Sequence, residues 1–242
     1  GVLWVRLGVT SGGISAYQTA YGLLLIPALL AVTALAVARF RFPRPAELES
    51  KTPRIATQGF GRQYWLYLGA VACFAAGFAD FALMAYHFKG TSLAPDHLIP
   101  IVYALAMGVD AVAALILGRL YDKIGLPVLF IVFVVAAGFA PLVFLGSLPL
   151  ALAGLALWGI GMGAQESVMR AVVANLVPRE RRAYGFGLFH TGFGIAWFVG
   201  SALMGWLYDH TRLGLVLFSV LIQLGAVPLL LAARRAEPAA AS

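Results

Sequence analysis

Charge is scarce in this sequence. Asp, Glu, Lys and Arg supply 11% of the 242 residues, apolar types supply 62%, and the mean hydropathy is +0.90; ordinary soluble domains carry roughly 25% charged residues. The deficit excludes a water-soluble protein, because too little polar surface remains to cover so much apolar area. Cysteine is nearly absent too. Cys73 stands alone inside an apolar run, so neither a disulfide framework nor a cysteine metal site can be built. Also missing are a His pair at zinc-binding spacing, a Gly-x-Ser-x-Gly nucleophile turn and a Gly-x-x-x-x-Gly-Lys phosphate loop. No cofactor, no metal, no enzymatic activity and no ATP coupling within this chain are therefore expected. The net charge of +7 does not indicate nucleic acid, since the basic residues sit in short clusters with no interleaved aromatics.

What is present is a series of apolar runs near the ~20-residue length that crosses a bilayer. Breakers and charges delimit seven of them, at 21–38, 64–86, 98–117, 126–145, 150–169, 183–203 and 213–232. Helices are required, because open strands would leave backbone groups unsatisfied in lipid and runs this long exceed barrel strands. The expected fold is an all-α polytopic transmembrane bundle. Residues 1–10 are apolar but too short to span, and they read as the tail of a helix that begins earlier. Residues 39–62, with Pro43, Pro45, Pro53, Glu47 and Glu49, form the only long polar segment and read as a linker. The expected organisation is thus a remnant of a preceding half at 1–38, a basic linker at 39–62, a six-span domain at 63–233 and a tail at 234–242.

Counting Lys and Arg on alternate sides of the membrane gives fourteen on one side, from Arg39 to Arg235, and only Lys89 and Arg212 on the other. By the positive-inside rule the rich side faces the cytoplasm.

The end of the third run reads Gly118-Arg119-Leu120-Tyr121-Asp122, and the end of the sixth reads Gly205-Trp206-Leu207-Tyr208-Asp209. The two marks lie 87 residues and three spans apart, so they fall on opposite sides of the membrane. That pattern predicts an inverted three-plus-three repeat. Gly118-x-x-x-Asp122-Lys123-x-Gly125 resembles the loop signature of major facilitator transporters, departing from it at Leu126 and Pro127, where further basic residues are usual. Pro178-Arg179-Glu180-Arg181-Arg182-Ala183-Tyr184-Gly185 is similar to a second loop of that family. The resemblance covers essentially the whole chain. It implies the C-terminal half of a bacterial inner-membrane permease, with one helix of the first half preceding it. It also implies a small-molecule substrate, protons as a further partner, and the missing N-terminal half as a structural partner. In that setting Gly118 would permit close helix approach, and Asp122 and Lys123 would belong to a cytoplasmic gate.

An ionisable side chain near the bilayer centre costs ~3 kcal/mol on insertion scales, so each needs a partner, a water path or a purpose. Asp110 shares a helical face with Tyr103, Met107 and Ala114, and that face is a candidate pathway lining; a structural hydrogen bond is the alternative. Asp80 shares a face with Cys73, Gly77 and Met84 under the same two readings. Glu166 and Arg170 are four apart in the order that favours an intrahelical ion pair. A charge network of Glu166, Arg170 and Arg182 with Asp122 is the alternative. His190, beside Gly192 and Gly194, is either a packing residue or a titrating one. Secondary transport is the leading functional expectation; a non-transporting membrane sensor on the same fold is the other.

Overall fold

The computed structural model describes residues 14–41 and 60–236 and divides the chain into two units, Gly1–Arg54 and Ile55–Ser242. The described part of the first unit is one helix, α1 (Ile14–Arg41), which contains the first predicted run. Its side chains Leu25, Ile26, Leu29, Leu30 and Leu35 are all exposed, as expected for a segment surrounded by lipid or by other helices. The predicted helix tail at 1–10, residues 42–59 of the linker and residues 237–242 of the tail lie outside the described residues.

In the second unit six helical segments are long and apolar enough to cross a membrane: Arg62–Gly90, Asp96–Ile124, Pro127–Leu145, Leu148–Leu176, Arg179–His210 and Arg212–Arg235. Five of them contain one of the later runs whole, and Pro127–Leu145 covers all but the first residue of the run at 126–145. No strand occurs among the described residues. The first span consists of α2 (Arg62–Gly77) and α3 (Phe81–Gly90), and the second is α4 (Ile99–Ile124). The third comprises α5 (Pro127–Ala137) and α6 (Phe139–Leu145). The fourth runs through α7 (Leu148–Ala164), a π-helical turn (Gln165–Met169) and α8 (Arg170–Leu176). The fifth and sixth are α9 (Arg182–His210) and α10 (Arg212–Arg235). Prolines open α4, α5 and α7 within the first two helical positions, where the missing N–H costs nothing.

The inverted repeat is visible in the packing. α4 lies along α7 as α9 lies along α2, while α5 and α6 flank α7 as α10 flanks α2. Single contacts repeat as well. A Cβ added at Gly163 would stand 2.6 Å from the Asp110 carbonyl oxygen and 3.0 Å from Ala113 Cβ, and one added at Gly200 would collide with the backbone of Ala76. Adding 87 to positions 76 and 113 gives 163 and 200, so the same contact is made twice, with the glycine on opposite partners. The repeated tyrosines behave alike. Tyr121 Oη accepts from Asn175 Nδ2 at 3.0 Å, joining spans two and four, and Tyr208 Oη pairs with His87 Nδ1 at 3.0 Å, joining spans five and one. Adding 87 to His87 lands on residue 174, one short of Asn175.

Candidate transport site

Two interruptions of helical geometry lie just past the middle of 29-residue spans one and four. In span one the helix stops at Gly77 and restarts at Phe81, leaving residues 78–80 outside helical geometry. In span four the helix widens into the π turn, Gln165–Met169. Adding 87 to positions 77–80 gives 164–167, so the two irregularities are repeat mates. Irregular backbone at this depth survives only where its freed polar groups find partners. Here they do. The Gly77 carbonyl accepts from Ser219 Oγ at 2.6 Å and from Gln223 Nε2 at 3.0 Å, and the Ala79 carbonyl accepts from Trp158 Nε1 at 2.9 Å. In the π turn the Met169 carbonyl accepts from Tyr67 Oη at 2.9 Å, and Ser167 Oγ donates to the Gly163 carbonyl.

Gly77 is required by close approach: an added Cβ would stand 2.5 to 2.7 Å from Ile222, Gln223 and the Ser219 carbonyl. The expectation that Gly77 admits a neighbouring helix is met by α10. The face proposed for Asp80 is not formed, because the break separates Cys73 and Gly77 from Met84. Asp80 instead caps α3, its carboxylate accepting from the Ala82 N–H at 3.4 Å, and it is exposed.

Asp110 faces a different set of neighbours from those expected. Its relative exposure is 8%, and the buried side of α4 is Val102, Ala106, Asp110 and Ala113, whereas Tyr103 is 41% exposed. The reason is the pair Gly159 and Gly163, one turn apart on α7. Added Cβ atoms there would stand 2.6 Å from the Ala106 and Asp110 carbonyl oxygens, respectively, so the helices approach at small-residue distance. Asp110 Oδ1 is buried with no hydrogen-bond partner among the described residues, as is Gln165 Oε1 on the π turn. α4, which carries Asp110, packs against the π turn, which carries Glu166. Asp110 and Glu166, expected separately, thus lie on elements that touch.

Glu166 and Arg170 form no ion pair within 4 Å, whereas Lys89 and Asp96 do, at 3.7 Å. The π turn between them explains this, since it adds a residue to the turn and rotates position i+4 away from i. No ion pair links Asp122 to Arg170 or Arg182 among the described residues either, and Arg182 Nε is buried without a hydrogen-bond partner among them. Arg170 sits on α8 inside the span, not in a loop. His190 is exposed and has aromatic neighbours, with ring centroids 5.2 Å from Phe189 and 6.3 Å from Phe186.

The loop signature is helical for most of its length. Gly118, Asp122 and Lys123 occupy the last two turns of α4, and Gly125 ends it at φ 68°, with its N–H donating to the Tyr121 carbonyl at 2.8 Å. That φ favours glycine, and Pro127 then opens the next helix. Asp122 and Lys123 are exposed, and a Cβ added at Gly118 meets open space. The close approach expected at Gly118 is therefore absent among the described residues.

Ser219, Gln223, Trp158 and Tyr67 were not foreseen as site residues. A signal existed for the first two: polar side chains four apart inside an apolar run share one helix face. Removing Gln223 alone is expected to cost ~1 kcal/mol, since membrane-buried hydrogen bonds average near that value. The pair Ser219→Ala with Gln223→Leu strands the Gly77 carbonyl and should cost ~2–3 kcal/mol. Unfolding in mixed micelles checks this; a double variant no worse than Gln223→Leu would show that the carbonyl does not need these donors.

The sequence from residue 70 to residue 242 matches the description of the Major Facilitator Superfamily. The chain is also similar to an uncharacterised protein of Mycobacterium bovis and to two from strains of Mycobacterium tuberculosis. Each is 35% identical over 232 residues, covering 91% of this chain and 55% of its relative. The chain therefore spans about half the length of the curated relatives it matches. Six spans related by an inverted repeat, together with a family match over most of the sequence, establish a multi-pass membrane protein of a transporter family, and the chain belongs to the Major Facilitator Superfamily.

Proposed function

We propose that this chain works as one six-span half of a secondary active transporter for small solutes, driven by an ion or substrate gradient through alternating access. The observation that carries the reading is the pair of interruptions at 78–80 and 165–169, placed in repeat-related spans. Broken helices near mid-membrane are where such folds bind substrate and bend. Asp110, with Glu166 beside it on the π turn, is the proton-coupling group. Asp80, at the start of a half-helix, lies along the same route, and His190 on α9 is a second-rank member of it. The Gly118, Asp122, Lys123 and Gly125 segment is one side of a gate, its exposed charges meeting a surface beyond the described residues; Arg170 and Arg182 belong to the same charge system in a second conformation. The basic ends of the spans face the cytoplasm of a bacterial inner membrane.

Since the curated relatives are nearly twice as long, the reading requires a further half for activity. The 242 residues alone are expected to insert stably and to show no saturable uptake in proteoliposomes. A longer chain of the relatives' length should transport those solutes that stabilise it against heat. Saturable uptake by the 242 residues alone would refute the need for a second half. A complete chain that is stabilised by a solute yet never moves it would identify a sensor on this fold instead.

A further inference from the structure

We infer that the membrane-surface cavity between the start of α2 and the end of α10 is a binding site for the headgroup of an anionic phospholipid. The cavity measures about 340 Å³ and is lined by Arg62, Pro228, Leu231, Ala232, Arg235 and Ala236. Two arginines from different spans line it, Arg62 at the first residue of span one and Arg235 at the last residue of span six. These are antiparallel helices packed along their length, so both arginines stand at the same membrane surface.

The remaining walls are apolar: Pro228, Leu231 and Ala232 sit on the membrane side of Arg235, up to two turns back into α10, and Ala236 follows at the helix end. Cationic at the water boundary and greasy one to two turns deeper is the profile of a phosphodiester above its glycerol and acyl chains. Neither arginine has an ion-pair partner among the described residues. Arginine suits this task because its planar fork can bond two phosphate oxygens at once, and basic pockets between spans at the cytoplasmic surface take acidic headgroups for that reason. Trp65, one turn from Arg62 and 48% exposed, is an interfacial aromatic of the kind that marks headgroup level. The inference does not depend on which solute is transported.

Trp65 also supplies the measurement. In a chain carrying Trp4→Phe, Trp197→Phe and Trp206→Phe, the remaining tryptophans are Trp65 and Trp158, and Trp158 is 2% exposed. The full chain is reconstituted in phosphatidylcholine bilayers containing rising fractions of brominated phosphatidylglycerol, or of brominated phosphatidylcholine as control. Quenching should saturate at lower fractions of the anionic lipid. That preference should fall roughly fivefold for Arg62→Gln or for Arg235→Gln, as expected from the loss of one juxtamembrane cation each. Arg62→Lys and Arg235→Lys should keep most of it, and Arg119→Gln, on another span, should keep all of it. If the glutamine variants do not fold, the lysine variants and the unaltered chain still decide. Equal quenching by both lipids in the unaltered chain would overturn the inference and leave the cavity to the acidic residues of the chain itself. Loss of the preference on adding inorganic phosphate at constant ionic strength would also overturn it, in favour of a soluble anion.

Discussion

Replacing Asp110 by Asn in a chain of the relatives' length is expected to bring gradient-driven uptake down to background while exchange of substrate across the membrane partly survives. The residue is 8% exposed, and its buried Oδ1 has no hydrogen-bond partner among the described residues. A group so placed is costly to keep charged, at ~3 kcal/mol on insertion scales, and that cost is not offset by a structural bond. Asn keeps the volume but cannot carry a proton, so the coupled step is lost whereas a substrate-loaded reorientation is not. Stability separates this role from a structural one. If Asp110 serves the fold, Asn should weaken it; if it serves coupling, the neutral side chain should leave the thermal midpoint unchanged or higher. Asp122→Asn offers the contrast: exposed at the end of α4, it should slow turnover with coupling and insertion intact. Uptake by Asp110→Asn with an unaltered pH dependence would sink the coupling assignment.

The largest effect on stability is expected from Gly200→Ala. An added Cβ would fall on the Ala76 backbone itself, and backbone cannot rotate aside as a side chain does. The contact also lies one residue before the end of α2 at Gly77, so relief by shifting α9 would disturb the partners of the break. Overpacking of a well-packed site typically costs 1–3 kcal/mol and more where backbone must move; a loss of about 3–4 kcal/mol is expected. Gly194→Ala and Gly205→Ala, on the same helix with open space beside each, should instead be neutral within ~0.5 kcal/mol. Steric unfolding curves for the three variants in one detergent make the comparison internal. A Gly200→Ala protein as stable as Gly205→Ala would mean that spans one and five are not in contact there.

The repeat doubles the value of that experiment. Gly163 makes the mate of this contact against Asp110 and Ala113, with side chain as well as backbone in the path. Both sites join a span containing an irregularity to the span beside it. Close contact at these points fixes each irregular span against its neighbour.

Much of this architecture was legible in the residues. Spans one to six of the second unit were readable because twenty apolar residues in lipid have one way to satisfy their backbone, and their ends were marked by Arg, Pro and Gly. The repeat was readable from Gly118–Asp122 and Gly205–Asp209, whose tyrosines each join two spans through a hydrogen bond. Asp110 was singled out by depth alone. Three things needed the tertiary structure. Whether Asp110 faces a neighbour or an opening depends on where Gly159 and Gly163 bring α7, which no pattern within α4 encodes. The π turn that parts Glu166 from Arg170 depends on Tyr67 reaching the Met169 carbonyl from another span. The break at 78–80 exists because Ser219, Gln223 and Trp158 arrive from spans six and four to take up the carbonyls that a helix would have bonded itself. Composition determines which segments enter the membrane, since transfer free energy adds along the chain; the placement of interruptions is decided by partners far apart in sequence, because a polar backbone group in lipid is stable only where another side chain meets it.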